Sequence, residues 1–112
     1  MKGKIVLVPF PFTDLTAAKL RPALVIYEGE KDVVVAFISS KIPSKLSEVD
    51  VLITAGHPNF KKTGLKVESV IKLDKVATVL KDLIVGELGE LNKGLRAEIN
   101  RKLKEVFEIS QG

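Results

Sequence analysis

Apolar residues fall into short runs separated by polar stretches, until the period changes near the C-terminus. The run at residues 4–8 is mostly aliphatic and β-branched, as a strand buried on both faces would be. A second run follows at 23–27 and a third at 33–38. The polar link between them, 28–32, carries Gly29 for an unusual dihedral and is short enough to predict an antiparallel hairpin. A fourth strand is expected at 50–54, after a Ser- and Lys-rich loop at 39–47 and before another loop at 55–64. Val67, Ser69 and Ile71 alternate, as do Val76, Thr78 and Leu80, which predicts two strands, 67–72 and 75–80, around Leu73-Asp74. Residues 83–91 are ambiguous: Ile84-Val85 reads as a short strand, while Gly86 and Gly89 argue against a long helix. Beyond them Leu95, Ile99, Leu103, Val106 and Phe107 recur at spacings of three and four, one face of a helix over about 92–107. Asn92 is placed to cap it, and Glu98 and Lys102 to form an i,i+4 pair on its surface. Many short strands followed by one helix predict a mainly β fold, a small antiparallel barrel closed by that helix.

At 112 residues the chain is expected to form one domain, 1–112. A composition of 46% hydrophobic and 29% charged residues is that of a globular protein. No cysteine is present, which removes disulfide frameworks and thiolate metal sites and fits a reducing cytoplasm. The first apolar run breaks at Pro9, too early for a signal peptide, and no segment is long enough to span a membrane. The net charge of +4 favours nucleic acid or acidic partners.

The most informative stretch is VPFPFTDLTAAKLRPALVI, residues 8–26. Prolines lack an amide donor and are confined to strand ends or edges. Strand pairing is therefore expected to stop near Pro9, with a polar loop at 13–20 leading to Arg21-Pro22. Pro22 biases Arg21 toward an extended conformation, which holds a long cation at the mouth of the barrel, where it suits an anion. A structural salt bridge to a neighbouring carboxylate is the competing role for Arg21.

This stretch resembles the MazF/PemK (Kid-like) toxins. The likeness rests on Gly3, residues 5–9, the loop, and above all Arg21-Pro22-Ala23-Leu24-Val25-Ile26. Ala36-Phe37-Ile38-Ser39-Ser40 and Gly64-Leu65 through Ser69-Val70-Ile71 follow in the right order. The resemblance implies an SH3-like barrel, a homodimer, and a cytoplasmic toxin of a type II toxin–antitoxin system. Its activity would be metal-independent, sequence-specific cleavage of single-stranded RNA, leaving a 2′,3′-cyclic phosphate and a 5′-OH. Its protein partner would be a cognate antitoxin, whose disordered acidic segment folds along the basic groove on binding.

The residues are compatible with such chemistry. One histidine and no cysteine give no metal-ligand cluster, no Gly-rich phosphate loop precedes a helix, and no Ser-His-Asp set is evident. No cofactor is expected. In RNA cleavage the attacking 2′-OH belongs to the substrate, so the protein must only align the sugar and phosphate, move protons and stabilise charge on phosphorus. Arginine suits the last task, with donors forked to match phosphate oxygens.

The resemblance makes Arg21 and Ser39 the catalytic candidates, Ser39 standing where the family carries Thr or Ser; its competing role is to satisfy backbone at a strand end. Asp14, Lys19, Ser40, Lys41, Lys72 and Asp74 are the candidate RNA contacts, although for Asp14 its place in the loop slightly favours an Asx-type turn. Lys45, Lys61 and Lys62 are further groove candidates or simply solvated lysines. His57 is of a residue type suited to shuttling protons but has no match in the motif, which favours an exposed loop histidine. Two departures stand out: Lys4 replaces the usual acid after Gly3, and Lys19 stands near the place of an acid that often precedes Arg-Pro. The general acid and base are thus unassigned. Two other readings compete, a non-catalytic CcdB-like toxin that binds DNA gyrase and an RNA-binding barrel without cleavage.

Overall fold

The described residues form one antiparallel sheet of β1 (Lys4–Phe10), β2 (Lys19–Glu28), β3 (Asp32–Ser39), β4 (Asp50–Ile53), β5 (Ser69–Leu80) and β6 (Gly86–Glu90). A single turn of helix, α1 (Phe60–Thr63), precedes β5, a 3₁₀ turn (Lys81–Leu83) precedes β6, and α2 (Lys93–Phe107) ends the fold. The computed structural model describes residues 1–10 and 19–111. Strand order is β4-β5-β3-β2-β1-β6. The sheet curls into a half-barrel with β4 and β6 at its edges and α2 packed on one face, which bears out the expected mainly β fold with a C-terminal helix.

Alternation along the strands builds two cores. Ile5, Leu24, Ala36, Ile38, Val51, Ile53 and Ile71 point to one face, where Leu95 and Ile99 of α2 cover them. Val6, Val8, Ala23, Val25, Val33, Val35 and Val79 point to the other, flanked by Leu83 and Ile84. Strands buried on both sides need aliphatic residues at odd and even positions alike, and this is why residues 4–8 show no polar alternation. Each buried Leu or Ile of α2 contributes about 1.5–3 kcal/mol by leaving water.

The helix begins as expected. Asn92 is its N-cap, and the side-chain oxygen accepts from Leu95 N–H at 2.9 Å. Leu103 and Val106 are half-buried and Phe107 is exposed, so the apolar face emerges into solvent toward the end of the helix. The expected Glu98–Lys102 pair does not form. Lys102 Nζ instead donates to the Asp50 carbonyl at 3.0 Å, and the i,i+4 ion pair is Arg101–Glu105.

Other expectations need correcting. Pairing does not stop at Pro9 but runs on through Pro9↔Leu20 to Phe10↔Lys19, so Lys19 and Leu20 belong to β2 rather than to a loop. Both prolines are tolerated because each lies where its strand pairs on one side only. β6 leaves β1 at Leu7, and the β2–β3 ladder begins at Ala23. The strands expected at 67–72 and 75–80 are one bent strand. In β5, Lys72 pairs with Phe37 and Val76 with Ala36, so Leu73, Asp74 and Lys75 have no partners on β3. Ile84-Val85 precede β6 rather than forming a strand, and β6 itself carries the two glycines. Gly89 is there because α1 lies on β6: a Cβ would collide with the Lys62 and Thr63 backbone.

Candidate functional site

Register determines which side chains meet. Val6, Val8 and Phe10 share one face of β1, and their partners across β2 are Ala23, Arg21 and Lys19. Ala23 pairs with Phe37, and Phe37 with Lys72. Arg21, Phe10, Phe37 and Lys72 therefore share the face opposite α2, with Ser39 two residues beyond Phe37 on the same side. This face is a valine core at one end and polar at the other.

At the polar end lies an open cleft of about 520 Å³, lined by Phe10, Arg21, Phe37, Ile38, Ser39, Ser40, Lys41, Lys72, Asp74, Lys75 and Val76. A second cleft of about 340 Å³ adjoins it, lined by Leu7, Pro22, Leu65, Val67 and Leu88 together with Lys66 and Ser69. Arg21, Ile38 and Ser40 border both, so the guanidinium stands on the wall between a cationic cleft and an apolar one. The bulge in β5 carries Asp74 and Lys75 to the first cleft, which a regular strand would not do.

Arg21 is exposed and, among the described residues, pairs with no carboxylate. The salt-bridge role set against it thus has no partner there. Ser39 is half-buried and its Oγ accepts from Lys41 N–H at 3.1 Å. This is the backbone-satisfying turn of the competing reading, yet the hydroxyl hydrogen stays available to donate to a phosphate. Lys72 leans on Asp50, with Nζ 3.7 Å from Oδ1. Asp50 is buried and accepts from Ser47 N–H at 2.9 Å and Ser47 Oγ at 3.1 Å. The Ser47 backbone donor, more than the Lys72 charge, holds the Asp50 carboxyl below its ordinary range against the opposing effect of burial. Asp74 Oδ2 lies 3.7 Å from Lys75 Nζ.

Six of the eight candidate residues thus line one cleft: Arg21, Ser39, Ser40, Lys41, Lys72 and Asp74. Lys19 shares their face, opposite Phe10, without lining the cleft. Asp14 lies outside the described residues. Lys45, Lys61 and Lys62 line neither cleft, and Lys62 approaches Glu90 at 3.9 Å. His57 is half-buried rather than exposed, and its Nδ1 accepts from Asn59 N–H at 3.0 Å, an ordinary turn contact. Among the described residues no three His, Asp or Glu side chains gather to hold a metal. Sequence reasoning missed Phe10, Phe37 and Lys75. Parity with Val6 and Val8 was the available signal for Phe10; nothing in the sequence marked the bulge that brings in Lys75.

The family model described as "PemK-like, MazF-like toxin of type II toxin-antitoxin system" matches residues 1–107. The chain belongs to the PemK/MazF toxin family. No curated protein matches it in sequence. Among solved structures, it is similar to an endoribonuclease in complex with its cognate antitoxin from a mycobacterial species, at TM-score 0.72 and 15% identity over 100% of this chain and 98% of that one. It is also similar to the Mycobacterium tuberculosis toxin MazF-mt6, at TM-score 0.73 and 18% identity over 96% and 98% of the two chains. MazF from Deinococcus radiodurans matches at TM-score 0.67 and 21% identity over 96% of each. At such identities the structural likeness speaks for the fold.

Within this PemK/MazF toxin, the Lys4 departure has a structural use. Its Nζ lies 3.2 Å from Glu90 and 3.5 Å from Glu87, tying β1 to β6, and the hydrogen bond to Glu90 raises the lysine pKa. The substitution serves the sheet edge rather than the cleft.

Proposed function

We propose that the chain is a metal-independent, sequence-specific endoribonuclease, the cytoplasmic toxin of a type II pair. It cleaves single-stranded RNA through the substrate's own 2′-OH. The observation that carries this reading is a guanidinium without a carboxylate partner among the described residues, set in a cleft with two serines, three lysines and one carboxylate.

In that cleft Lys41, Lys72 and Lys75 hold the backbone by charge, and Ser39 and Ser40 donate to phosphate oxygens. The 2′-oxygen attacks phosphorus in line with the 5′-oxygen, forming the cyclic phosphodiester as the P–O5′ bond breaks. The 2′ proton passes to a base and the leaving oxygen takes a proton from an acid. Asp74 is the one carboxylate among the described lining residues, and this reading gives it the first proton. Arg21 offers two parallel N–H groups to the oxygens on which charge grows in the transition state. The reaction consumes no water and needs no protein nucleophile, which accounts for a site without a Ser-His pair.

A cognate antitoxin restrains such an enzyme, and an acidic segment laid along the same cationic cleft is the simplest way to do so. The chain acts as a single domain, 1–112, within a homodimer. Incubation of the purified protein with mixed-sequence RNA in EDTA tests the activity: 2′,3′-cyclic phosphate ends support it, whereas intact RNA, or cleavage only after adding a divalent cation, overturns it.

A further inference from the structure

We infer that Asp50 is a positioning residue for RNA binding, a buried carboxylate that holds the Lys72 ammonium in place in the cleft for a phosphate; this rests on the reading of the cleft as an RNA site. Asp50 and Lys72 stand opposite each other on β4 and β5. Lys72 lines the cleft, whereas Asp50 lines neither cleft and its side chain is only 5% exposed. Its Oδ2 accepts from Ser47 N–H at 2.9 Å and Ser47 Oγ at 3.1 Å, while Oδ1 lies 3.7 Å from Lys72 Nζ. Main-chain bonds fix the same turn: Asp50 N–H donates to the Ser47 carbonyl at 3.1 Å, and Leu73 N–H to the Val49 carbonyl at 2.9 Å. The carboxylate is therefore a rigid anchor. At 3.7 Å the contact to Lys72 is an ion pair longer than a hydrogen bond, so the ammonium keeps its donors for a ligand. Lys75 offers the contrast. Its partner Asp74 is equally 3.7 Å away, but both side chains are exposed, and an exposed pair restrains little. Among the described residues Lys72 is the one lysine of the cleft with a buried anchor.

Two opposing effects set the size of the gain. A free lysine that closes on a phosphate loses roughly 10- to 30-fold in affinity to the freezing of its rotamers. A tethered lysine has given up that freedom on folding. The carboxylate also repels the phosphate. Across the ammonium the two anions stand roughly 6–7 Å apart, and at the water-facing mouth of an open cleft the repulsion amounts to about threefold. Orientation thus outweighs repulsion, and Asp50 favours binding by a net of roughly 3- to 10-fold.

Asp50→Asn keeps the shape and an acceptor for Ser47 but removes the charge. The probe is a mixed-sequence, fully 2′-O-methylated RNA pool, which cannot be cleaved because its 2′-oxygen carries no proton. Asp50→Asn should weaken binding of this pool by roughly 3- to 10-fold. In a Lys72→Met background the same change has only the repulsion to remove, so binding should strengthen, by up to about threefold. A merely structural role for Asp50 would weaken both backgrounds alike. A second readout needs no variant and stands if a thermal melt shows either one unfolded: NMR relaxation of the lysine ε-methylene carbons in the wild-type protein should find Lys72 more ordered than Lys41 and Lys75. A loss of affinity in the Lys72→Met background, stronger binding by Asp50→Asn alone, or a Lys72 as mobile as the other two overturns the assignment. Cleavage of unmodified RNA by the wild-type protein is scored separately. Cleavage without the reversal of sign sinks the role of Asp50 and spares the ribonuclease reading; the reversal without cleavage does the opposite.

Discussion

Replacing Arg21 with alanine should separate transition-state stabilisation from ground-state binding. The cleft holds four cations, Arg21, Lys41, Lys72 and Lys75, so removing one leaves three to track the backbone. Each phosphate contact to a single strand contributes about 0.7 to the slope of log K against log salt, roughly threefold in affinity between 50 and 200 mM. Binding should therefore fall only a few-fold and the slope by about 0.7. Turnover should fall far more, about 10²–10³, the usual loss for one preorganised donor at a developing charge. Stability should change by less than about 0.5 kcal/mol, since Arg21 is exposed and has no ion pair among the described residues. Arg21→Lys should keep the salt slope but not the rate, because an ammonium lacks the planar fork. Single-turnover cleavage at saturating enzyme, direct RNA binding across salt concentrations and a thermal melt measure the three quantities. A folded Arg21→Ala protein that cleaves at nearly the wild-type rate refutes the assignment. One that loses its fold shows that the guanidinium is a structural element instead.

Ser39→Ala should lower single-turnover cleavage by no more than the Arg21 variant does, and Ser39→Thr should restore most of it; rescue absent with the fold intact argues against a hydroxyl at the phosphate. Leu95→Ala should cost about 2–5 kcal/mol in urea denaturation, and Leu103→Ala distinctly less because Leu103 is only half-buried. Equal losses would mean that the helix face is wrongly assigned. Asp50 has a carboxyl pKa below its ordinary value, so it contributes stability that is fully present above about pH 4 and is lost as pH falls through its folded pKa. Asp50→Asn should thus be less stable than wild type at pH 7, and the two should converge in acid; a gap that does not change with pH would contradict this.

What was legible in the sequence was what one element settles by itself. The helix showed its period and its Asn92 cap, and the aliphatic runs of β1 to β4 showed their strands. Features decided by pairing between distant segments were not legible. Lys19 and Leu20 look like loop residues, but β1 extends far enough to pair with them. Asp74 looks like a turn carboxylate because it lies in a bulge whose flanks pair with adjacent residues of β3. β6 shows neither period nor β-branched residues, since its glycines answer to the backbone of α1. In the site, Arg21 and Ser39 are legible through the likeness to the MazF/PemK toxins; the proline after Arg21 and the strand end at Ser39 would not distinguish their competing roles alone. Phe10 carries no mark of its own after the aliphatic run, and only the register shows that it reaches the cleft. Lys102 was assigned to a surface pair, although a carbonyl on another strand lay within its reach.

Asp50 bears on how this toxin can diverge. Its carboxylate steadies Lys72 in the cleft, its carbonyl receives Lys102 from α2, and its side chain is almost fully enclosed. A lineage that exchanged Lys72 for a neutral residue would remove one counter-charge of a buried anion. Drift in the lysines of the cleft is therefore not free: positions 50 and 72 should change together, with Asn at one accompanying a neutral residue at the other. Among the described residues Lys41 and Lys75 carry no such tie to the interior, and either can change without a second compensating substitution.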